Sequence, residues 1–480
     1  MELLLISLLL LLLRHASAAA DDDERVLGVY IFHRHGDRSA KAWKPVNLTA
    51  LGAVQVHSSG SFYRDRYVTG DGRLAGLGTD VAVAGQLSVT APRDAVLQAS
   101  ALTFLQGLYP PQDSVAETLA NGSRVVAPLG GYQFVPVDPA AARTGDRPED
   151  SAWLQGGTGC VNAEVSSNGY LASKEYHDDY HDSLDFYQRL LPVIKDTYGQ
   201  DAANFKNGYS IFDLINVATI HNASIPSASL LTPSTRARLF HLASAHEWNL
   251  AYNTSEPIRA IAGAVLAGQM LDSLRAIVDG KPAAPRLNAQ FGAYGTFMAF
   301  FGLARMPAAS ADFYGICNYA SSMVLELVSK VAKPGPDDVS VRFLFANGSA
   351  ADTPLKPYPL FGQKSLTTPW REFASAMGQF AITDSAHWCD VCGKTDGECA
   401  EVTHHAAGAQ QDVNKDGDES GGGISKPVAG VIGALVTLVT IIGLLAAVML
   451  LGGLRLVRKS SLGVARRRPD ESVEAGLAKV

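Results

Sequence analysis

Residues 29–41 read VYIFHRHGDRSAK and bring two arginines, a histidine and a glycine to the end of an apolar run. Arg34 and Arg38 can clamp a phosphoryl group through paired, charge-assisted hydrogen bonds. Gly36 lets the backbone approach closely or adopt a positive φ. Between the arginines, His35 can present a ring nitrogen to phosphorus. Neutral imidazole is a competent nucleophile, and the product is a phosphohistidine that water hydrolyses. The arginines stabilise charge on the equatorial oxygens, and the scheme calls for no metal and no cofactor.

Such a cluster needs a seat. Residues 26–33 (VLGVYIFH) are β-branched, apolar and aromatic, the pattern of a buried strand. The cluster then stands at the strand's carboxyl end, where ligands bind in open α/β sheets. Residues 49–67 read as a helix, 105–111 close another, 183–220 are helical in pattern, and 256–278 form a strong helix. SSMVLELVSKV (321–331) reads as a strand. The mixture is α/β, with an extra helical region between about 110 and 280.

Several blocks, taken in order, resemble the histidine acid phosphatase family, the branch that includes phytases, within the phosphoglycerate-mutase-like superfamily. RHGDR is similar to the family's catalytic motif, and LTALGAVQ with YRDRY (48–67) to the helix after it. LTFLQGLYPP (102–111) and GICNYASSMVLELV (315–328) resemble two later blocks. The resemblance covers residues 26–330 and implies an α/β sandwich with an inserted smaller α-helical domain, the site lying between them. It implies His35 as nucleophile and Arg34 and Arg38 as phosphate ligands. His33 has no role in the motif and reads as a structural strand-end histidine.

The pattern departs from the family in three places. Ser39-Ala40 replace a usual Thr-Pro, which loosens the turn without removing a catalytic group. In LSVTAPRDAV, Thr90 stands at the place of a third phosphate-binding arginine, and Arg93 is the nearest cation, offset by three residues. In FGAYGTFMAFFGL (291–303), Tyr294-Gly295 occupy the His-Asp position that supplies the proton donor. SAHEWNL (244–250) imitates that element, with His246 and Glu247 adjacent, but precedes the wrong helix. If the family order is not kept, Glu247 is the acid. A general acid is worth about 10²–10⁴ in rate, and one electrostatic donor about 10²–10³. Two readings follow: a phosphomonoesterase, phytase-like and of reduced rate, or an inactive phosphatase-fold protein that binds phosphate-like anions.

The chain has 480 residues, 47% hydrophobic and 18% charged, with a formal charge of −7, which argues against nucleic acid as the main partner. Residues 1–18 read as a signal peptide, with an apolar run at 3–13 before small residues. Residues 19–400 then form the ectodomain, 401–427 a polar linker, 428–454 a transmembrane helix, and 455–480 a basic tail. Arg455, Arg458, Lys459 and Arg466–Arg468 make that tail cytosolic. The expectation is a single-pass type I protein of the cell surface or a secretory or vacuolar membrane. Sequons at Asn47, Asn121, Asn222, Asn253 and Asn347 agree with it. Cys160, Cys317, Cys389, Cys392 and Cys399 read as disulfide candidates with one left over, their pairing open. His177 and His181 in HDDYH have chelating spacing but fall on an amphipathic helix, and DVNKDG (412–417) lacks the twelfth-position carboxylate of a calcium loop.

Overall fold

In the computed structural model, residues 24–139, 158–397 and 399–400 are described. The expected signal peptide, linker, transmembrane helix and tail lie outside them. Strand β1 (Arg25–Arg34) is buried along nearly its whole length. Its side chains alternate: Val29 and Ile31 enter one core, Tyr30 and Phe32 the other. A strand covered on both faces reads as a continuous apolar run, which is why it was legible.

Around it are β2 (Leu87–Ala91), β5 (Asp138–Pro139), β6 (Leu287–Gly292), β7 (Ser322–Ser329), β8 (Ser340–Ala346), β9 (Lys356–Tyr358) and β10 (Thr367–Pro369). Their order is β10-β8-β7-β1-β6-β2-β5, with β9 also on β8; a separate hairpin pairs β3 (Ala116–Thr118) with β4 (Arg124–Val126). β6 runs parallel to β1 and β7 antiparallel. Arg34 pairs with Gly292 and His33 with Ser322, so the end of β1, the end of β6 and the start of β7 lie side by side.

Helices cover both faces. α1 (Ala50–Arg64) and α2 (Ala95–Leu108) share a core with Val29 and Ile31. Thr49 caps α1 by accepting from the Gly52 amide, and Asp94 caps α2 by accepting from Val96 and Leu97. α3 (Val161–Leu171), α4 (Lys174–Arg189), α5 (Gly208–His221) and α6 (Pro233–Ala251) form the helical part, where Tyr187, Phe205, Ile211 and Leu239 make a third core. The run expected to be helical over 183–220 breaks between α4 and α5, with Pro192 in a single-turn segment.

α7 (Ile261–Val278) is long and apolar enough to cross a membrane by composition. Leu266, Met270 and Leu274 instead join Tyr30 and Phe32 in the sheet's core, together with α8 (Tyr294–Leu303) and α9 (Trp370–Gly378). The helical run therefore divides between two cores. Near α10 (Ser385–Cys392), disulfides join Cys160 to Cys392 and Cys389 to Cys399; Cys317 is a buried free thiol. The C-x2-C pair is thus split between two bridges. His177 and His181 are exposed on α4.

Glu326, fully buried on β7, holds the sheet to its flank. It accepts hydrogen bonds from Arg66 (2.7 Å), Tyr67 (2.6 Å) and Arg342 (2.8 Å). Removing one member of a buried ionic cluster strands the others without compensation. Glu326→Ala is expected to lower stability by about 3 kcal/mol, read from urea unfolding, with Glu326→Gln intermediate.

Candidate active site

The chain leaves β1 and turns at once against the start of α1. A Cβ on Gly36 would meet the Gly52 carbonyl oxygen at 2.3 Å, and one on Gly52 would meet the Asp37 carbonyl at 2.0 Å. Only glycine fits at both places. The turn is also tied by Thr49 N–H to the Asp37 carbonyl (3.0 Å) and by the Ala320 amide to the His35 carbonyl (2.9 Å).

His35 is buried, and its Nδ1 lies 2.8 Å from the Gly36 carbonyl. A carbonyl can only accept, so Nδ1 carries the proton and Nε2 keeps its lone pair. Burial, then the charges of Arg34, Arg38 and Lys41, pushes the imidazole pKa well below its ordinary value. Burial and the neighbouring cations thus favour the neutral ring, with its lone pair at Nε2.

Arg34 donates to the Cys317 carbonyl and lies over the rings of Tyr319 (4.6 Å) and Tyr294 (5.4 Å). Its Nε is buried without a partner among the described residues. Arg38 is already paired: its guanidinium meets both carboxylate oxygens of Asp213 on α5, at 2.6 and 3.3 Å, and donates to Tyr209 Oη at 3.1 Å. Burial works against the Arg38 charge, but the Asp213 hydrogen bond and neighbouring groups hold its pKa above the ordinary value. Asp213 also accepts from the Lys41 amide at 2.8 Å. Lys41 is exposed as a residue, yet its ammonium lies over the Tyr209 ring at 4.7 Å and the Tyr294 ring at 5.6 Å. Withdrawal of that ammonium from water, and then Arg38, lowers its pKa.

The two proton-donor candidates, 47 residues apart, meet. Tyr294, at the start of α8, donates its hydroxyl to Glu247 Oε2 at 2.7 Å, and Glu247 Oε1 lies 2.9 Å from His246 Nδ1. Burial, then the neighbouring Tyr209 and Glu247, pushes the Tyr294 phenol well above its ordinary pKa. The Tyr294 hydroxyl thus fixes the position of the Glu247 carboxyl group.

Thr90 and Arg93 do not join this group. Thr90 lines a separate polar cleft with Gln269, Asp272 and Gln290, beneath α7. Arg93 is exposed after β2 and makes no hydrogen bond or ion pair among the described residues. Asp213, Tyr209, Tyr319 and Lys41 were not singled out from sequence. Lys41 and Tyr319 fall within VYIFHRHGDRSAK and GICNYASSMVLELV and could have been; Asp213 and Tyr209 sit in α5 with no motif around them. Of the sequons, Asn47, Asn121 and Asn222 are exposed, Asn253 is half-buried, and Asn347 is half-buried with its Oδ1 accepting from the Asn318 amide and Ser321.

Residues 41–346 match the family model of the histidine phosphatase superfamily (branch 2), and the chain belongs to that family. The match begins at Lys41, directly after the turn described above. Among solved structures, the chain is similar to a Hafnia alvei phytase in complex with myo-inositol hexakis sulphate, at TM-score 0.53 and 13% identity, covering 78% of this chain and 99% of that one. It is also similar to a phytase from Klebsiella sp. ASR1, at TM-score 0.51 and 15% identity, covering 75% and 95%. At these identities the likeness is one of fold. Comparison with curated proteins gives no match.

His33 matches its expected structural role. Its Nδ1 lies 2.6 Å from the Arg34 carbonyl and its Nε2 2.8 Å from Ser59 Oγ, so the neutral ring is fully satisfied. Burial lowers its pKa to about 4. Below pH 6.5 the unfolded chain takes up a proton that the native one refuses, so stability falls with pH over pH 6.5 to 4. From pH 7 to 4.5 the native chain is expected to lose about 2.5 kcal/mol more than His33→Gln in urea unfolding. Equal losses would show that His33 titrates freely.

Proposed function

We propose that this protein is a membrane-anchored phosphomonoesterase acting through a phosphohistidine on His35. The observation that carries the reading is the His35 ring itself, neutral and buried beside Arg34, with Nδ1 engaged by Gly36 and Nε2 left free. Nε2 attacks phosphorus; the N–P bond forms as the bond from phosphorus to the alcohol oxygen breaks. Glu247, oriented by Tyr294, delivers the proton to that oxygen. Water then attacks the phosphohistidine, the N–P bond breaks, inorganic phosphate leaves, and Glu247 recovers its proton. Arg34 and Lys41 bear the phosphoryl charge, and Arg38 contributes the part of its guanidinium that Asp213 leaves open. Arg93 enters only if its exposed side chain reaches the substrate.

The membrane anchor at 428–454, the signal peptide at 1–18, the ectodomain at 19–400, the cytosolic tail and glycosylation at the five sequons belong to this proposal. The two disulfides are compatible with an oxidising compartment. A second reading, an inactive anion-binding protein of the same fold, is favoured by Asp213 on Arg38 and by the lack of a cation at Thr90.

Turnover of p-nitrophenyl phosphate by the full-length chain in lipid nanodiscs, from pH 4 to 7, separates them. The proposal expects activity abolished by His35→Ala. It also expects His35 to bring no loss of kcat/KM as pH falls through the ordinary imidazole range near 6.5, because its lowered pKa delays protonation of the nucleophile. No turnover above the His35→Ala background would leave the binding reading. Glu247→Gln is expected to slow alkyl phosphates by about 10²–10⁴ and p-nitrophenyl phosphate much less, since nitrophenolate leaves without a proton. Equal losses on both esters would remove Glu247 as the acid.

A further inference from the structure

A cleft of about 360 Å³ opens between α5, α6 and the segment before β7, and its floor is Arg34 with Tyr319, whose ring centroid lies 5.6 Å from that of His35. Its walls are Phe212, Ile215, Leu239, Phe240 and Ile316. Arg34 at the floor and Arg236 at the mouth are the cations among its lining residues, and Asp213, the acid there, is committed to Arg38. The cleft therefore offers a cation at its floor and walls that are apolar in larger part, with Asn216, Thr219 and Asn318 among them.

We infer that the cleft receives the alcohol of the substrate, and that this alcohol is an apolar chain or ring. The inference rests on the phosphomonoesterase reading and names its substrate class. Three observations converge on it. Arg34, to which the proposal assigns the phosphoryl group, also lines this cleft, so the alcohol of an ester held there can extend into it. Beyond Arg34 the lining holds one further cation, the exposed Arg236, and neutral polar groups such as Asn216 and Thr219, so most phosphates of a polyphosphorylated ring would lie without a cation beside Phe212, Ile215 and Phe240, which is costly. An alkyl or aryl group instead gains from leaving water, by about threefold to fourfold in affinity for each methylene buried. Phe240, 38% exposed, and the exposed Arg236 stand at the entrance, where an apolar chain enters and an anionic end group can pair.

The test uses the full-length chain in nanodiscs with ethyl, butyl and hexyl phosphate and with myo-inositol hexakisphosphate. The expected result is kcat/KM rising at least tenfold from ethyl to hexyl phosphate, with the hexakisphosphate below all three. Phe240→Ser, at a partly exposed position that the fold tolerates, is expected to reduce the hexyl-to-ethyl ratio several-fold; Phe212→Ser should do the same. A flat series, or preference for the hexakisphosphate with turnover still dependent on His35, overturns the substrate class and leaves the phosphatase reading standing. If no ester is turned over, that reading fails, and calorimetric binding of hexylphosphonate against methylphosphonate decides the cleft alone. Tighter hexyl binding that Phe240→Ser abolishes supports it; equal affinities overturn it.

Discussion

A buried ion pair joins the two halves of this molecule. Arg38 leaves the sheet at the end of β1, Asp213 belongs to the helical part, and each side chain is 3% exposed. Either charge buried alone would cost several kcal/mol, so the turn and α5 fix each other. The same carboxylate holds the Lys41 amide, and at the far end of α5 His221 Nε2 lies 2.5 Å from Asp37. Residues 34–41 are thus gripped from one side by the sheet and α1, and from the other by both ends of α5. Ala40, in the middle of the turn, lies in the core of the helical part.

This grip carries an electrostatic consequence. Arg34, Arg38 and Lys41 gather around a histidine that must stay neutral to act as a nucleophile, and their charges help to keep it so. Asp213 offsets part of the repulsion, and in doing so occupies the guanidinium that a phosphoryl group would seek. Arg34, with an unpaired buried Nε, keeps part of its guanidinium for a ligand. Arg34 also forms the floor of the apolar cleft, so the free cation and the volume that could hold an alcohol coincide.

What the sequence disclosed follows from how local each signal is. β1 and the turn were legible because burial on both faces writes a continuous apolar run, and because a close glycine approach leaves an obligatory Gly36. α1, α2 and β7 were legible for the same kind of reason, each being one periodic segment. Glu247 and Tyr294 appeared from sequence as rivals, since one sits in an imitation of the motif and the other in its expected place. They are partners, because α6 and α8 pack against each other, a tertiary fact that no window of either helix records. Asp213 was invisible for a similar reason: an aspartate in an apolar helix shows nothing of the arginine 175 residues away. The split of Cys389 and Cys392 between two bridges was equally hidden, because adjacency in sequence says nothing about which thiol α3 presents.

The central claim is that His35 Nε2 takes the phosphoryl group. The direct measurement is to quench turnover of a labelled phosphomonoester by the full-length chain, digest it, and locate the label. The account predicts an acid-labile, alkali-stable phosphoryl group on the peptide carrying His35, absent from His35→Ala. Label on another residue, or turnover that survives His35→Ala, would contradict it.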